Sequence, residues 1–215
     1  MIVGITGAIG SGKDTVAKYL ISKYGFIRMS YASTLKDAVA AIFHWDREML
    51  EGHTEESRKQ RETVDQWWAN RLNIPHLTPR WVLQYFGTDV CRKAFHDDLW
   101  IASLENMLAR TDGNVVISDC RFPNELKSLK SVGAITMRVE RGPEPEWYPD
   151  AALVTANPGQ DHESMLIRVQ AIARLNQWGI HASEYSSVGL QYDHVIKNDG
   201  TLEELYSKVD SIINL

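Results

Sequence analysis

Residues 7–13, Gly-Ala-Ile-Gly-Ser-Gly-Lys, constrain this chain more than any other stretch, because glycines spaced in this way before a lysine permit a backbone course closed to most sequences. They follow the apolar run Ile2, Val3 and Ile5, which reads as a buried strand. They precede Val16, Ala17, Leu20, Ile21 and Tyr24 at helical spacing, and Gly25 closes that helix. Strand, glycine turn and helix, with the spacing GxxxxGK, are the context a phosphate-binding loop requires; a plain glycine-rich turn is the competing reading. The glycines let successive N–H groups curl around a phosphate, the helix N-terminus adds partial positive charge, and Lys13 neutralises the β/γ oxygens. The residue after the lysine is normally Ser or Thr, whose hydroxyl reaches Mg²⁺. Here it is Asp14, with Thr15 next. Either Asp14 meets the metal directly or through water, or Thr15 contacts phosphate and the nucleotide itself holds the metal.

Strand and helix signals alternate along the rest of the chain. Phe26 to Tyr31 reads as a second strand, and Leu35, Ala38, Val39 and Ile42 as an amphipathic helix. Thr54 to Arg71 reads as a charged, peripheral helix. Thr78-Pro79 is a helix start, with Val82, Leu83, Phe86 and Val90 as the inner face, and another helix begins near Asp98 with Ile101, Leu104 and Leu108 inward. Asn114 to Asp119 is a buried strand ending in a carboxylate, followed by a Pro123-initiated helix and a strand over Ala134 to Glu140. Gly142 to Gly159, with Pro143, Pro145, Pro149 and Pro158, reads as a loop or lid, and Glu163 to Trp178 as a helix. Asp193 to Lys197 is a last strand, and Thr201 with Glu204 is a capping box ahead of Leu202, Leu205, Tyr206, Val209 and Ile213. This order predicts an α/β domain with a parallel sheet covered on both faces and ligands beyond the carboxyl ends of its strands.

Composition removes several alternatives. A formal charge of −5 without a long Lys/Arg run argues against a nucleic-acid duplex as partner, while a few placed cations suffice for small phosphate esters. No stretch approaches a membrane span and no leader precedes the first strand, so the chain is expected in the cytoplasm. Cys91 and Cys120 lack metal-ligand spacing and read as reduced structural thiols. Asp119 ends its strand as a metal-linked or acceptor-orienting carboxylate would, with a helix N-cap before Pro123 as the alternative, and Arg121 is placed to hold a second phosphate. Arg58, Arg61, Arg80, Arg92, Arg138 and Arg141 are further candidates for a phosphate clamp, and Trp67, Trp68, Trp81 and Trp100 for stacking on a base.

These segments together resemble the phage deoxynucleoside monophosphate kinases, a branch of the P-loop, nucleoside-monophosphate-kinase-like proteins. The resemblance covers most of the chain. It rests on SGKDT at 11–15, LKDA at 35–38, LQYFGTD at 83–89 with Trp100 downstream, SDCRFPNE at 118–125, VER at 139–141, HASE at 181–184 and IKNDGTLEEL at 196–205. Within that family's pattern Asp14 is the expected residue. The resemblance implies a P-loop three-layer sandwich of about five mostly parallel strands in one domain over 1–215, with a helical acceptor-binding region at about 33–112 and a lid or insertion at about 142–180. It implies ATP as donor, held by Gly10, Ser11, Gly12, Lys13, Asp14 and Thr15, with Mg²⁺ as cofactor and Asp14 as a candidate metal residue. The monophosphate site falls on Lys36, Arg80, Gly87, Thr88, Trp100, Asp119, Arg121 and Glu125. Lys13, Arg121 and Asp119 would be catalytic, with Arg138 or Arg141 as lid arginines. It further implies a bacterial host cytoplasm for a phage-encoded chain and is compatible with a homodimer. Two rivals stay open: a dephospho-coenzyme A kinase of the same fold, and a nucleotide-binding regulatory protein without turnover.

Overall fold

The computed structural model describes residues 1–155 and 161–214 and divides the chain into two compact units, Met1–Ser30 with Thr111–Leu215, and Tyr31–Arg110. Positions 156–160, which include Pro158 and Gly159 of the expected loop, lie outside the described residues.

The first unit opens with strand β1 (Ile2–Thr6), helix α1 (Lys13–Tyr24) and strand β2 (Ile27–Met29). Gly25 ends α1 in the left-handed region at φ 68°, its N–H donating to the carbonyls of Ile21 and Leu20, as the glycine predicts. β2 is shorter than the expected 26–31: Phe26 donates back to Leu20 O, and Tyr31 already belongs to the turn into the second unit.

The second unit is helical: α2 (Ser33–Phe43), α3 (Arg47–Glu51), α4 (Glu55–Glu62), α5 (Gln66–Leu72), α6 (Pro79–Gln84), a π-helical segment (Tyr85–Phe95) and α7 (Leu99–Leu108). The single helix expected over 54–71 is two, because Thr63 takes an extended conformation and Asp65 starts α5 as an N-cap accepting from Trp68 N. Thr78 caps α6 through Trp81 N with Pro79 in the first turn, as predicted. Beyond Gln84, i→i+5 bonding rotates the helix face. Val82 and Leu83 are buried as expected, but Gly87, Thr88 and Arg92 replace Phe86 and Val90 as the buried positions.

The chain then returns to the first unit with β3 (Val115–Ile117), α8 (Pro123–Ser131), β4 (Ile135–Glu140), α9 (Tyr148–Thr155), α10 (His162–Gln177), α11 (Ala182–Tyr185), β5 (His194–Lys197) and α12 (Leu202–Ile213). The expected loop after Gly142 thus contains a helix: Pro149 stands in the first turn of α9, where its missing N–H costs nothing. Ala151 of α9 and Leu175 of α10 share a small core with Tyr185 and Val188. Arg174 pins the pair through both oxygens of Asp150.

The sheet has the order β2-β3-β1-β4-β5 and every pairing is parallel. One face packs Val3, Ile5, Val116, Met137, Val139 and Ile196 against Val16, Ala17 and Leu20 of α1 and Leu205 and Val209 of α12. On the other face Leu129 of α8 sits over Gly4 so closely that a Cβ there would lie 2.5 Å from its methyl. The Thr201–Glu204 capping box is formed in both directions, at 3.0 and 3.2 Å. Along α12 Leu205, Val209, Ile212 and Ile213 are buried, while Leu202 in its first turn is exposed. Asp210 of α12 locks onto α1 by accepting from Tyr19, Lys23 and Tyr24 at 2.7–2.8 Å. No helix among the described residues is long and apolar enough to cross a membrane.

Candidate functional site

β1 lies between β3 and β4, so connections leave in opposite directions from neighbouring strand ends and open a crevice at their carboxyl termini. The glycine loop leaves β1 there. Gly7 (φ 154°), Gly10 (φ 79°) and Gly12 (φ 103°) all take positive φ. A Cβ on Gly7 would run into Val139 O and lie 2.5 Å from Ser11 Oγ, so the loop is pressed against β4 and tolerates no side chain. Asn198, the residue after β5, donates from Nδ2 to Ser11 O at 2.8 Å, and a Cβ on Gly12 would collide with that amide. The course of the loop is therefore held from two neighbouring strands.

Lys13 opens α1, and its Nζ lies 3.4 Å from Ala8 O, folded back over the loop. Burial lowers its pKa, and the nearby cations Arg121 and Arg28 lower it further, while Asp14 and Asp119 act in the opposite direction. The same five side chains therefore share one electrostatic neighbourhood, and it gathers Lys13, Asp14, Asp119 and Arg121 from the sequence-nominated set.

The segment after β3 supplies the other wall. Asp119 Oδ2 accepts from Ser30 Oγ at 2.6 Å. It is not the N-cap residue of α8, a place that belongs to Phe122. Glu125 does the local work instead. It is 3% exposed, and its Oε2 accepts from the backbone N–H groups of Arg121 (2.7 Å) and Phe122 (3.0 Å), fixing the turn that carries the exposed Arg121. Burial and the charges of Glu125 and Asp119 raise the pKa of the adjacent Cys120 well above the usual thiol range, so Cys120 is an inert core thiol.

Sequence reasoning missed Arg28 altogether. Its Nη2 is 3.2 Å from Asp14 Oδ1 and 3.4 Å from Ser118 Oγ, and Ser118 Oγ is 3.3 Å from the same Asp14 oxygen. The available signal was a lone cation inside a short strand that ends at the crevice.

In the helical unit the nominated residues are engaged internally. Lys36 Nζ pairs with Glu51 Oε2 at 2.6 Å, and Arg47 takes the other oxygen of that carboxylate. Burial alone would raise the Glu51 pKa, but the hydrogen bonds from Lys36 and Arg47 prevail and bring it to about 2. Arg80 pairs with Glu62 at 2.9 Å. Trp100 is buried and donates to Gly87 O at 2.9 Å, so it shapes the π-helical turn that carries Gly87 and Thr88. Of the other clamp candidates, Arg92 is buried and paired with Asp97, and Arg61 donates to Glu51 O. Trp68 donates to Phe43 O, Trp81 stacks on Tyr85 at 5.0 Å, and Trp67 is 63% exposed.

Of the two lid candidates, Arg138 lies within β4, not on a lid, and is pinned by Glu140 at 2.9 Å and Ser187 O at 3.3 Å. Arg141 follows the strand end and is exposed.

No family model matches the chain. Curated relatives do. A putative deoxynucleotide monophosphate kinase of Acanthamoeba polyphaga mimivirus is 30% identical over 228 residues, covering 100% of this chain and 96% of the relative. The deoxynucleoside-5′-monophosphate kinase of Escherichia phage T5 is 26% identical over 192 residues, 64% of this chain and 74% of that protein. The deoxynucleotide monophosphate kinase of Enterobacteria phage T4 is 23% identical over 242 residues, 100% of this chain and 99% of its own length. Identity of 30% across 100% of this chain and 96% of the mimivirus relative places this protein in the deoxynucleotide monophosphate kinase family.

Proposed function

We propose that the protein transfers the γ-phosphate of ATP to a deoxynucleoside 5′-monophosphate, giving the diphosphate and ADP. One observation carries this reading: a glycine loop opening onto Lys13, with Asp14, Asp119 and Arg121 in the same electrostatic neighbourhood at the strand ends. The names of the full-length relatives supply the acceptor class.

In this mechanism an α-phosphate oxygen of the acceptor attacks the γ-phosphorus in line, and the bond to the β–γ bridging oxygen breaks to release ADP. The acceptor phosphate is largely dianionic near neutral pH, so no general base is required, and the protein has to position two anions and screen their repulsion. Loop N–H groups from Gly10 to Thr15 hold the donor phosphates, Lys13 neutralises the β/γ oxygens, and a bound polyanion returns to Lys13 the proton affinity that burial takes away. Arg121 screens the transferring group, Asp119 orients the acceptor, and Glu125 acts by holding the Arg121 turn. Asp14, Thr15 and Asp119 are oxygen donors of the kind a hard cation takes, which fits Mg²⁺; bound there, it would supply charge neutralisation at the phosphates. Lys36 and Arg80 are assigned to the acceptor phosphate, Gly87, Thr88 and Trp100 to the walls of its site, and Arg141 to the lid. We place the reaction in the cytoplasm, with small molecules as partners.

The test is diphosphate formation from Mg·ATP with dAMP, dGMP, dCMP, dTMP, AMP, GMP and dephospho-coenzyme A offered separately, with Lys13→Ala as control. Turnover of at least one deoxynucleotide, lost in the control, is the expected result. Activity with dephospho-coenzyme A alone, or ATP binding without transfer, would replace this reading with the corresponding rival.

A further inference from the structure

Asp14 puts a negative charge in the first turn of the helix whose N-terminus faces the donor phosphates. A carboxylate there gains from the helix dipole while the site is empty. Once a polyanion arrives it repels it, since two like charges a few ångström apart near a protein surface cost on the order of a kcal/mol or more. The structure contains a counterweight. Arg28 reaches Asp14 Oδ1 at 3.2 Å, and Ser118 donates to the same oxygen at 3.3 Å while standing 3.4 Å from the guanidinium. Strand pairing sets this triangle: Arg28 of β2 is in register with Val116 of β3, two residues before Ser118, so both side chains arrive at one sheet end beside the start of α1.

We propose that Arg28 is a positioning residue of the donor site: by neutralising Asp14 and holding its carboxylate against Ser118, it allows an aspartate to follow the P-loop lysine without repelling ATP. The inference rests on the reading of residues 7–15 as the ATP loop and deepens it. Arg28 acts through Asp14, and not on the phosphates, so its contribution depends on the charge at position 14.

That dependence is the test. ATP binding is measured by calorimetry on the full chain in EDTA at low ionic strength, where neither turnover nor a metal ion contributes and screening is weak. Wild type, Arg28→Gln, Arg28→Lys, Asp14→Asn and the Asp14→Asn/Arg28→Gln double variant are compared, with thermal unfolding of each to confirm folding. The pair is partly exposed, so Arg28→Gln should weaken ATP binding about five-fold. Arg28→Lys should recover most of that loss, and in the Asp14→Asn background the Arg28→Gln penalty should vanish. An unchanged affinity in Arg28→Gln, or an equal penalty in both backgrounds, overturns the inference and leaves the ATP loop standing; the second result would make Arg28 a direct phosphate ligand. A wild-type chain that binds no ATP, with or without Mg²⁺, overturns the loop reading and this inference together.

Discussion

The two units build their nominated residues into the fold by different means. In the sheet unit the groups proposed to face phosphate are delivered by backbone: a strand end, left-handed glycines, a helix start and a turn held by Glu125 through two N–H groups. In the helical unit they are delivered by side chains that already have partners, Lys36 on Glu51, Arg80 on Glu62 and Trp100 on Gly87 O. A backbone-built site is stiff and its cost is met during folding, whereas a residue engaged in an ion pair must exchange that partner before it can bind a ligand. Substitutions in the first unit should therefore strike transfer itself, and those in the second should mix binding with stability.

The sharpest contrast is between lysines. Lys13→Ala should lower kcat roughly a thousand-fold, as expected for losing a charged donor to a transferring group, with little change in the melting temperature. Lys36→Met should lower the melting temperature and affect mainly the acceptor KM. A Lys36→Met protein that melts normally but loses transfer as severely as Lys13→Ala would break the contrast, since Lys36 would then serve the ligand and not Glu51. Next in size, Gly7→Ala should cost about 2 kcal/mol of stability, because the added methyl meets Val139 O and Ser11 Oγ. Chemical denaturation and nucleotide titration should register that loss together.

Acid sharpens the comparison from the helical side. The Glu51 pKa falls from 4.5 to about 2 on folding, so the unfolded chain takes up a proton that the folded carboxylate refuses. The stabilisation is fully present above about pH 4.5 and is lost as pH falls towards 2. Allowing for partial exposure, it is worth about 1.5 kcal/mol. Denaturant titrations between pH 5 and 2 should show a smaller loss of stability in Glu51→Gln than in wild type, by about that amount. The smallest expected effect is Trp100→Phe, which leaves Gly87 O without its indole donor and should cost about 1 kcal/mol. If its acceptor KM rises more than its stability falls, Trp100 contacts the ligand as well as the turn.

Local chemistry was legible along the chain. GxxxxGK between a strand and a helix, Gly25 as a helix end, Thr78-Pro79 as a helix start and the Thr201–Glu204 box all read correctly, because each depends on the conformational preference of a few adjacent residues. Where neighbours distant in sequence decide, the reading missed. The π-helical bonding after Gln84 moved burial from Phe86 and Val90 to Gly87, Thr88 and Arg92, and no local pattern marks that change. The expected loop after Gly142 contains α9, whose Ala151 shares a core with Leu175 of α10.

The site divides along the same line. By itself the sequence determined the glycine loop between β1 and α1, the carboxylate just beyond β3 and the family, since these are contiguous motifs whose conformation follows from backbone freedom and residue type. Only the tertiary structure decided that Glu125 holds the Arg121 turn, that Asn198 clamps Ser11 O and that Arg28 stands on Asp14. Asn198 and Ser11 stand 187 residues apart, and the Arg28–Asp14 pair closes on Ser118, 104 residues from Asp14; strand order, which brings such residues together, is set by packing both faces of the sheet and not by any local signal.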